Sequence, residues 1–292
     1  MTETSLHDQR AHNWSTAGNP VRTIEDARAF VDRVGFCLVY PERSLPLLPT
    51  FIGAYAGSGD GLPDAKHAFA DPRTSQTVEL MVRLLREHGA YEMNLLPGAN
   101  LVVSPALFPY FYALVSDRNP KAAPKVRAQG ATVSPLAITV FEALQQKGPL
   151  SKNQLREMVG REPSNAALDR ALSELWVILK ITRVDYRRDV GAFWDVLYRW
   201  SPQVVKEGIN ISAPEAISAI LSKHLESAIA VTQDEIEQFF SYMTSRSKVR
   251  EAIHALLAAR ELSYMTVGVK TLIRLTPPPE PRRMNPRRMN HG

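Results

Sequence analysis

The sequence predicts a helix-rich α+β chain assembled from tandem winged helix-turn-helix units. Three observations lead there: a self-similarity at a shift of 81 residues, capping residues that recur in order within each copy, and paired strand-like runs that close each copy. At this shift Val140, Leu144, Leu150, Ser151, Leu155 and Met158 fall on Leu221, Leu225, Val231, Thr232, Ile236 and Phe239. Leu168, Ala171, Leu172, Leu175, Ile181 and Val184 fall on Val249, Ala252, Ile253, Leu256, Leu262 and Met265. Apolar meets apolar, and hydroxyl meets hydroxyl, over about 45 positions without a gap.

Each element of the first copy has a local cause. Ser134 is placed to cap a helix that has Pro135 in its first turn and carries Leu136, Val140 and Leu144 at helical spacing. "KGPLS" breaks it. Ser151 caps a second helix with Leu155 and Met158, "GREPS" breaks again, and Ser164 caps a third with Leu168, Ala171, Leu172, Leu175 and Leu179 on one face. "ITRVDY", a turn at "RRDVG" and "AFWDVLYRW" follow, with Ala192, Trp194, Val196, Tyr198 and Trp200 at period two, the spacing of one strand face. The second copy repeats the order with helices at 214–226, 232–240 and 245–259 and a hairpin at "ELSYMTV-GVKTLIRL". Three helices and a β-hairpin are the order of a winged helix-turn-helix.

A third, fainter copy is expected on the N-terminal side. A helix over 23–34 stops at Gly35; Val78, Met81, Val82 and Leu85 repeat the third-helix spacing; "AYEMNLLPGANLVVS" supplies a hairpin that turns at Pro97-Gly98. The expected organisation is a disordered arm (1–22), an N-terminal winged-helix-like domain (23–115), a basic linker (116–133), winged helices at 134–202 and 203–276, and a disordered basic tail (277–292). The four glycines of "GAYAGSGDGLPD" (53–64) read as a mobile loop.

Composition narrows the function classes. The net charge is +5, but +3 of it lies in 277–292, so a nucleic-acid reading rests on local patches and not on the overall balance. A single cysteine, Cys37, excludes an internal disulfide framework and suits a reducing cytosol. The polar N-terminus has no signal-peptide core, and runs such as "FCLVY" are too short to span a bilayer, so a cytoplasmic protein without membrane contact is expected. Seven scattered histidines and one cysteine build no zinc site; "AGSGDG" lacks the Lys-Ser/Thr of a phosphate loop; there is no GxSxG. No metal and no cofactor are expected.

The candidate binding residues are cationic. Arg246, Lys248, Arg250 and His254 lie off the apolar face of the second copy's third helix, as a groove-facing helix requires, although an ordinary solvated face carries the same charges. In the first copy the third helix carries Asp169, Arg170 and Glu174 and is nearly neutral. Its wing has Arg183, Arg187 and Arg188 against Asp185 and Asp189. The run "LFPYFY" (107–112) reads as packing at a domain junction, with base stacking as the alternative.

Tandem winged helices behind the helix–glycine–apolar segment "VGFCLVYPERS" (34–44) resemble the AlkZ-like DNA glycosylases, bacterial enzymes that excise damaged or crosslinked bases. The resemblance extends from about Thr23 to Thr276 and implies successive winged-helix units and a role in DNA repair. The family segment after the first helix looks like LG-x-x-Q-I-D or Q-apolar-Q, whose polar residues serve the attacking water and the sugar cation. Laid on this chain, Gly35 takes the family's glycine, Leu38 the glutamine position and Tyr40 the aspartate or second glutamine position.

Glycosidic cleavage passes through an oxocarbenium-like state that needs a nearby carboxylate or amide oxygen and a positioned water. Leu38 offers neither, and Tyr40 offers only a weakly acidic hydroxyl. The expectation is a DNA-binding relative of base-excision glycosylases with the catalytic pair replaced. The alternatives are an active glycosylase that uses another carboxylate such as Glu42, and a winged-helix scaffold or regulator with a protein partner.

Overall fold

Hydroxyl side chains set where the helices begin. Thr23, Ser134, Ser151, Ser164, Ser212 and Thr232 each sit in extended backbone and accept the N–H of the residue three positions on. The computed structural model describes residues 2–124, 133–160 and 162–278. After α1 (Glu3–Asn13) comes a first group: α2 (Ile24–Val34), β1 (Phe36–Leu38), α3 (Phe51–Ala56), α4 (Pro72–Arg86), β2 (Tyr91–Leu96) and β3 (Ala99–Val103). α5 (Phe108–Val115) leads to a second: α6 (Pro135–Gln146), β4 (Leu150–Ser151), α7 (Lys152–Val159), α8 (Asn165–Val177), β5 (Ile181–Arg187) and β6 (Gly191–Val196). α9 (Leu197–Trp200) and α10 (Pro202–Asn210) connect to a third: α11 (Ala213–Ala228), β7 (Ala230–Val231), α12 (Gln233–Phe240), α13 (Arg246–Ala258), β8 (Leu262–Val267) and β9 (Lys270–Leu275).

All three groups share one element order and one sheet topology. In each three-stranded antiparallel sheet the first strand pairs with the last, giving β1-β3-β2, β4-β6-β5 and β7-β9-β8. The registers are Leu38 opposite Leu101, Leu150 opposite Trp194 and Val231 opposite Ile273. The N-terminal group, faint in sequence, is as complete as the others. The molecule is an α+β, helix-rich fold with small antiparallel sheets.

The cores are divided unequally. One continuous apolar core runs through the first and third groups, and the second has its own around Phe141, Leu155, Leu168 and Trp194. The first and third groups meet at Phe36, stacked on Phe239 at 5.0 Å with an interplanar angle of 10°. The "LFPYFY" run forms α5, with Phe108, Phe111 and Tyr112 buried; α10 comes so close that a Cβ on Gly208 would lie 2.7 Å from the Tyr112 ring. Packing at a junction is its role here.

Three expectations need correction. The arm expected to be disordered over 1–22 is ordered across its described residues, 2–22: α1 lies on α11, Leu6 and Trp14 are buried, and Trp14 Nε1 donates to Ser227 Oγ at 3.0 Å. Arg10 donates to the Ala228 carbonyl at 2.8 Å and also to that of Ala230, on either side of Ile229, which has φ +68°. A β-branched residue is strained there, and the guanidinium holds the bend from outside. Residues 53–56 are not loop but the buried end of α3, and Gly57 at φ +68° stops it. The strand expected through Trp200 ends at Val196; Tyr198 and Trp200 lie in α9. Of the expected linker, 125–132 lie outside the described residues, as does the tail from 279 onward.

Candidate functional site

β1 is three residues long, and Phe36, Cys37 and Leu38 are all buried. Leu38 is 2% exposed, inside the core opposite Leu101. Gly35, before it, has φ +76°, and a Cβ there would lie 2.3 Å from Cγ of Lys223 on α11. Only a residue without a side chain allows that backbone turn and that approach together.

Beyond β1 the chain surfaces. Val39, Tyr40 and Pro41 line a cleft of about 860 Å³ between the first and second groups. Tyr40 is half-buried; burial, with the Glu92 charge adding to it, holds its phenol above the ordinary range. At neutral pH it is a neutral hydrogen-bonding group, not a resident anion. Glu42 is not part of the cleft lining. Its carboxylate accepts the Ser44 N–H at 3.0 Å and the Ser44 hydroxyl at 2.8 Å, and these bonds hold its pKa below the usual carboxylate range.

Three acids line the cleft, Asp71, Glu79 and Glu92, and of these Glu92 on β2 has its side chain 0% exposed. Arg183 Nε donates to its Oε2 at 2.7 Å, Arg183 Nη2 pairs with its Oε1, and Asn100 Nδ2 donates to Oε1 at 2.8 Å. Trp176 Nε1 donates to the Glu92 carbonyl at 3.1 Å, and the Arg183 guanidinium lies 5.3 Å from the Trp176 ring. Bidentate pairing compensates the desolvation of a buried carboxylate. Sequence reasoning missed Glu92. Its signal was a lone acid inside the otherwise uncharged strand "YEMNLL".

The predicted cations separate into two sets. Arg183 is the Glu92 clasp. Arg187 lies 4.7 Å from the Phe193 ring and reaches Asp185 at 3.4 Å. Arg188 is exposed at the β5–β6 turn and lines the cleft. On α13, Arg246, Lys248, Arg250 and His254 are all exposed, and Arg250 is in addition held by Glu237 at 2.7 and 2.8 Å. That pair ties α13 to α12 and, through Arg250 first, lowers the Glu237 pKa. On α8 the charges also serve the fold: Asp169 pairs with Lys152 at 2.9 Å, and Glu174 accepts the Ser134 N–H at 2.7 Å. Among the described residues no group of three His, Cys, Asp or Glu could hold a metal ion, and no helix is long and apolar enough to cross a membrane.

A family model described as DNA glycosylase AlkZ-like matches residues 68–289. The chain belongs to the AlkZ-like family. The matched span takes in α4, Glu92, Arg183 and α13, and it leaves 34–44 outside. The likeness of fold runs further than the likeness of sequence. The Streptomyces sahachiroi DNA glycosylase AlkZ superposes with a TM-score of 0.60 at 13% identity, over 94% of this chain and 70% of that one. No curated protein matches this AlkZ-like chain in sequence.

Proposed function

We propose that this AlkZ-like protein is a DNA-binding protein of three tandem winged helices, at 23–115, 134–202 and 203–276, in which the family's catalytic pair is replaced by Leu38 and Tyr40. The observation that carries the reading is the placement of Leu38 inside the core, 2% exposed, with its neighbour Tyr40 at the cleft. A glycosylase needs a charge or amide oxygen beside the departing sugar and a water held for attack. At this site Leu38 supplies no polar atom, Tyr40 no negative charge, and Glu92 is already gripped by Arg183 and Asn100. Glu42 is turned onto Ser44. Duplex binding is assigned to the exposed Arg246, Lys248 and His254 of α13, with Arg188 beside the cleft.

The test is a base-release assay on alkylated and crosslinked DNA with the wild type beside Glu42→Gln. The expected result is no release by either protein. Release by the wild type that disappears in Glu42→Gln would overturn the reading and make Glu42 the catalytic carboxylate. Release that survives the substitution would overturn it too and place the chemistry elsewhere.

A further inference from the structure

We propose that Phe69 stacks on an unpaired base at the mouth of the cleft and thereby directs this protein to DNA containing an unpaired base. The inference rests on the DNA-binding reading above. Phe69 is 97% exposed, while Ala68 beside it is 3% exposed and anchors the short 3-10 turn Ala68–Ala70.

The turn is pinned on both sides. The Asp64 carboxylate accepts the Lys66 N–H at 3.0 Å and the His67 N–H at 2.9 Å, and it meets His67 Nδ1 at 2.7 Å. On the far side the Asp71 N–H donates to the Ala68 carbonyl at 3.1 Å, and Arg73 holds Asp71 while donating to the Gly61 carbonyl at 2.7 Å. The fold thus presents this ring to solvent instead of folding it away.

What surrounds Phe69 selects the ligand. Tyr40, and Tyr186 with Arg188 from the β5–β6 hairpin, line the same cleft. Aromatic faces beside a cation hold single-stranded nucleic acid without sequence preference, because every base has a π-face. Charge argues for the base and not the backbone: Arg183 neutralises Glu92, Asp185 pairs with Arg86, and Arg188 is offset by Glu79 in the same lining. A near-neutral cleft suits an uncharged ring, with phosphates held outside it. Its volume, about 860 Å³, lies within the range of small-ligand sites and is too small for a duplex. Phe69 is also the one large apolar side chain in the stretch 64–71, among small and polar residues, whereas the centre of a protein interface is a contiguous apolar patch.

The experiment measures fluorescence anisotropy of the full chain at low salt with a perfect duplex, a duplex carrying a one-base bulge, and a single strand. The wild type is expected to prefer the bulge to the perfect duplex. Phe69→Ala should weaken binding to the bulge and the single strand by at least about fivefold and leave perfect-duplex binding within about twofold. Phe69→Trp should keep the preference. A 2-aminopurine at the bulge should be quenched by the wild type and by Phe69→Trp but not by Phe69→Ala, a readout that a structural role would not move. The melting temperature of Phe69→Ala should match the wild type, as the side chain is in solvent. An unchanged bulge affinity, or equal weakening on the perfect duplex, would overturn the assignment to Phe69 while DNA binding stands. No binding to any of the three would sink the DNA-binding reading itself. Self-association of the wild type that Phe69→Ala abolishes would overturn the proposal and assign the ring to a protein contact.

Discussion

Arg183 grips both carboxylate oxygens of Glu92 across 91 positions of sequence, joining the β2–β3 hairpin to the β5–β6 hairpin. Both residues line the cleft. Glu92→Leu alone should destabilise the protein by about 3–5 kcal/mol, because it leaves the Arg183 guanidinium without its anion. Replacing both partners together, Glu92→Leu with Arg183→Met, should cost far less than the sum of the single changes. Urea unfolding of the four proteins measures the coupling; additive effects would show that the pair does not hold the two groups together.

His224 predicts an acid-sensitive joint. The ring is buried against Phe36 and Phe239, each 5.7 Å away, with Arg10 and Glu235 the charges that face it. Burial first lowers its pKa to about 4 from the ordinary 6.5. The unfolded chain therefore takes up a proton below about pH 6.5 that the native state refuses until about pH 4. Stability falls as pH falls through that window, by about 3 kcal/mol in all. His224→Leu should flatten the difference in unfolding free energy between pH 7 and pH 4.5, measured against the wild type. An unchanged slope would assign the acid sensitivity to other groups.

On α13 the effects of Arg246 and Lys248 should separate from that of Arg250, which is exposed but paired with Glu237. Arg246→Glu with Lys248→Glu should weaken duplex binding by roughly tenfold and reduce the salt slope by about 0.9 for each phosphate no longer neutralised. Asp169→Lys on α8 should not weaken it. Arg250→Glu makes a poor test of binding, since it turns a carboxylate towards Glu237 and should lower the melting temperature. Equal loss of affinity from Asp169→Lys and from the α13 pair would move the interface away from α13.

At Gly35 a side chain meets three obstacles, the φ of +76°, the Lys223 stem at 2.3 Å and Leu107 Cδ2 at 3.2 Å. Gly35→Ala should cost about 1–2 kcal/mol from the backbone alone, and more from the clash. Adding Lys223→Ala should recover the larger steric part, the clash with the Lys223 stem, and leave the backbone cost. Thermal unfolding of the single and double variants distinguishes the two contributions.

Local interactions made much of this fold legible in the sequence. Helix starts at Thr23, Ser134, Ser151, Ser164 and Thr232 depend on a hydroxyl and an N–H three residues apart, so a short window contains the whole cause. Apolar spacing placed α8 and α13. The site was less legible because its interactions are long-range. Periodicity does not record that Arg183 would turn to Glu92 or Arg250 to Glu237, so the sequence did not show that two of the candidate cations are paired with carboxylates. Nor could it show that α1, only weakly amphipathic by itself, would fold onto α11 through Trp14 and Arg10. The repeated units, and the absence of a polar atom at position 38, are written in the order of residues alone. Which charges remain available is set by the folded chain, because a charge is free or paired according to what the fold brings within about 4 Å of it.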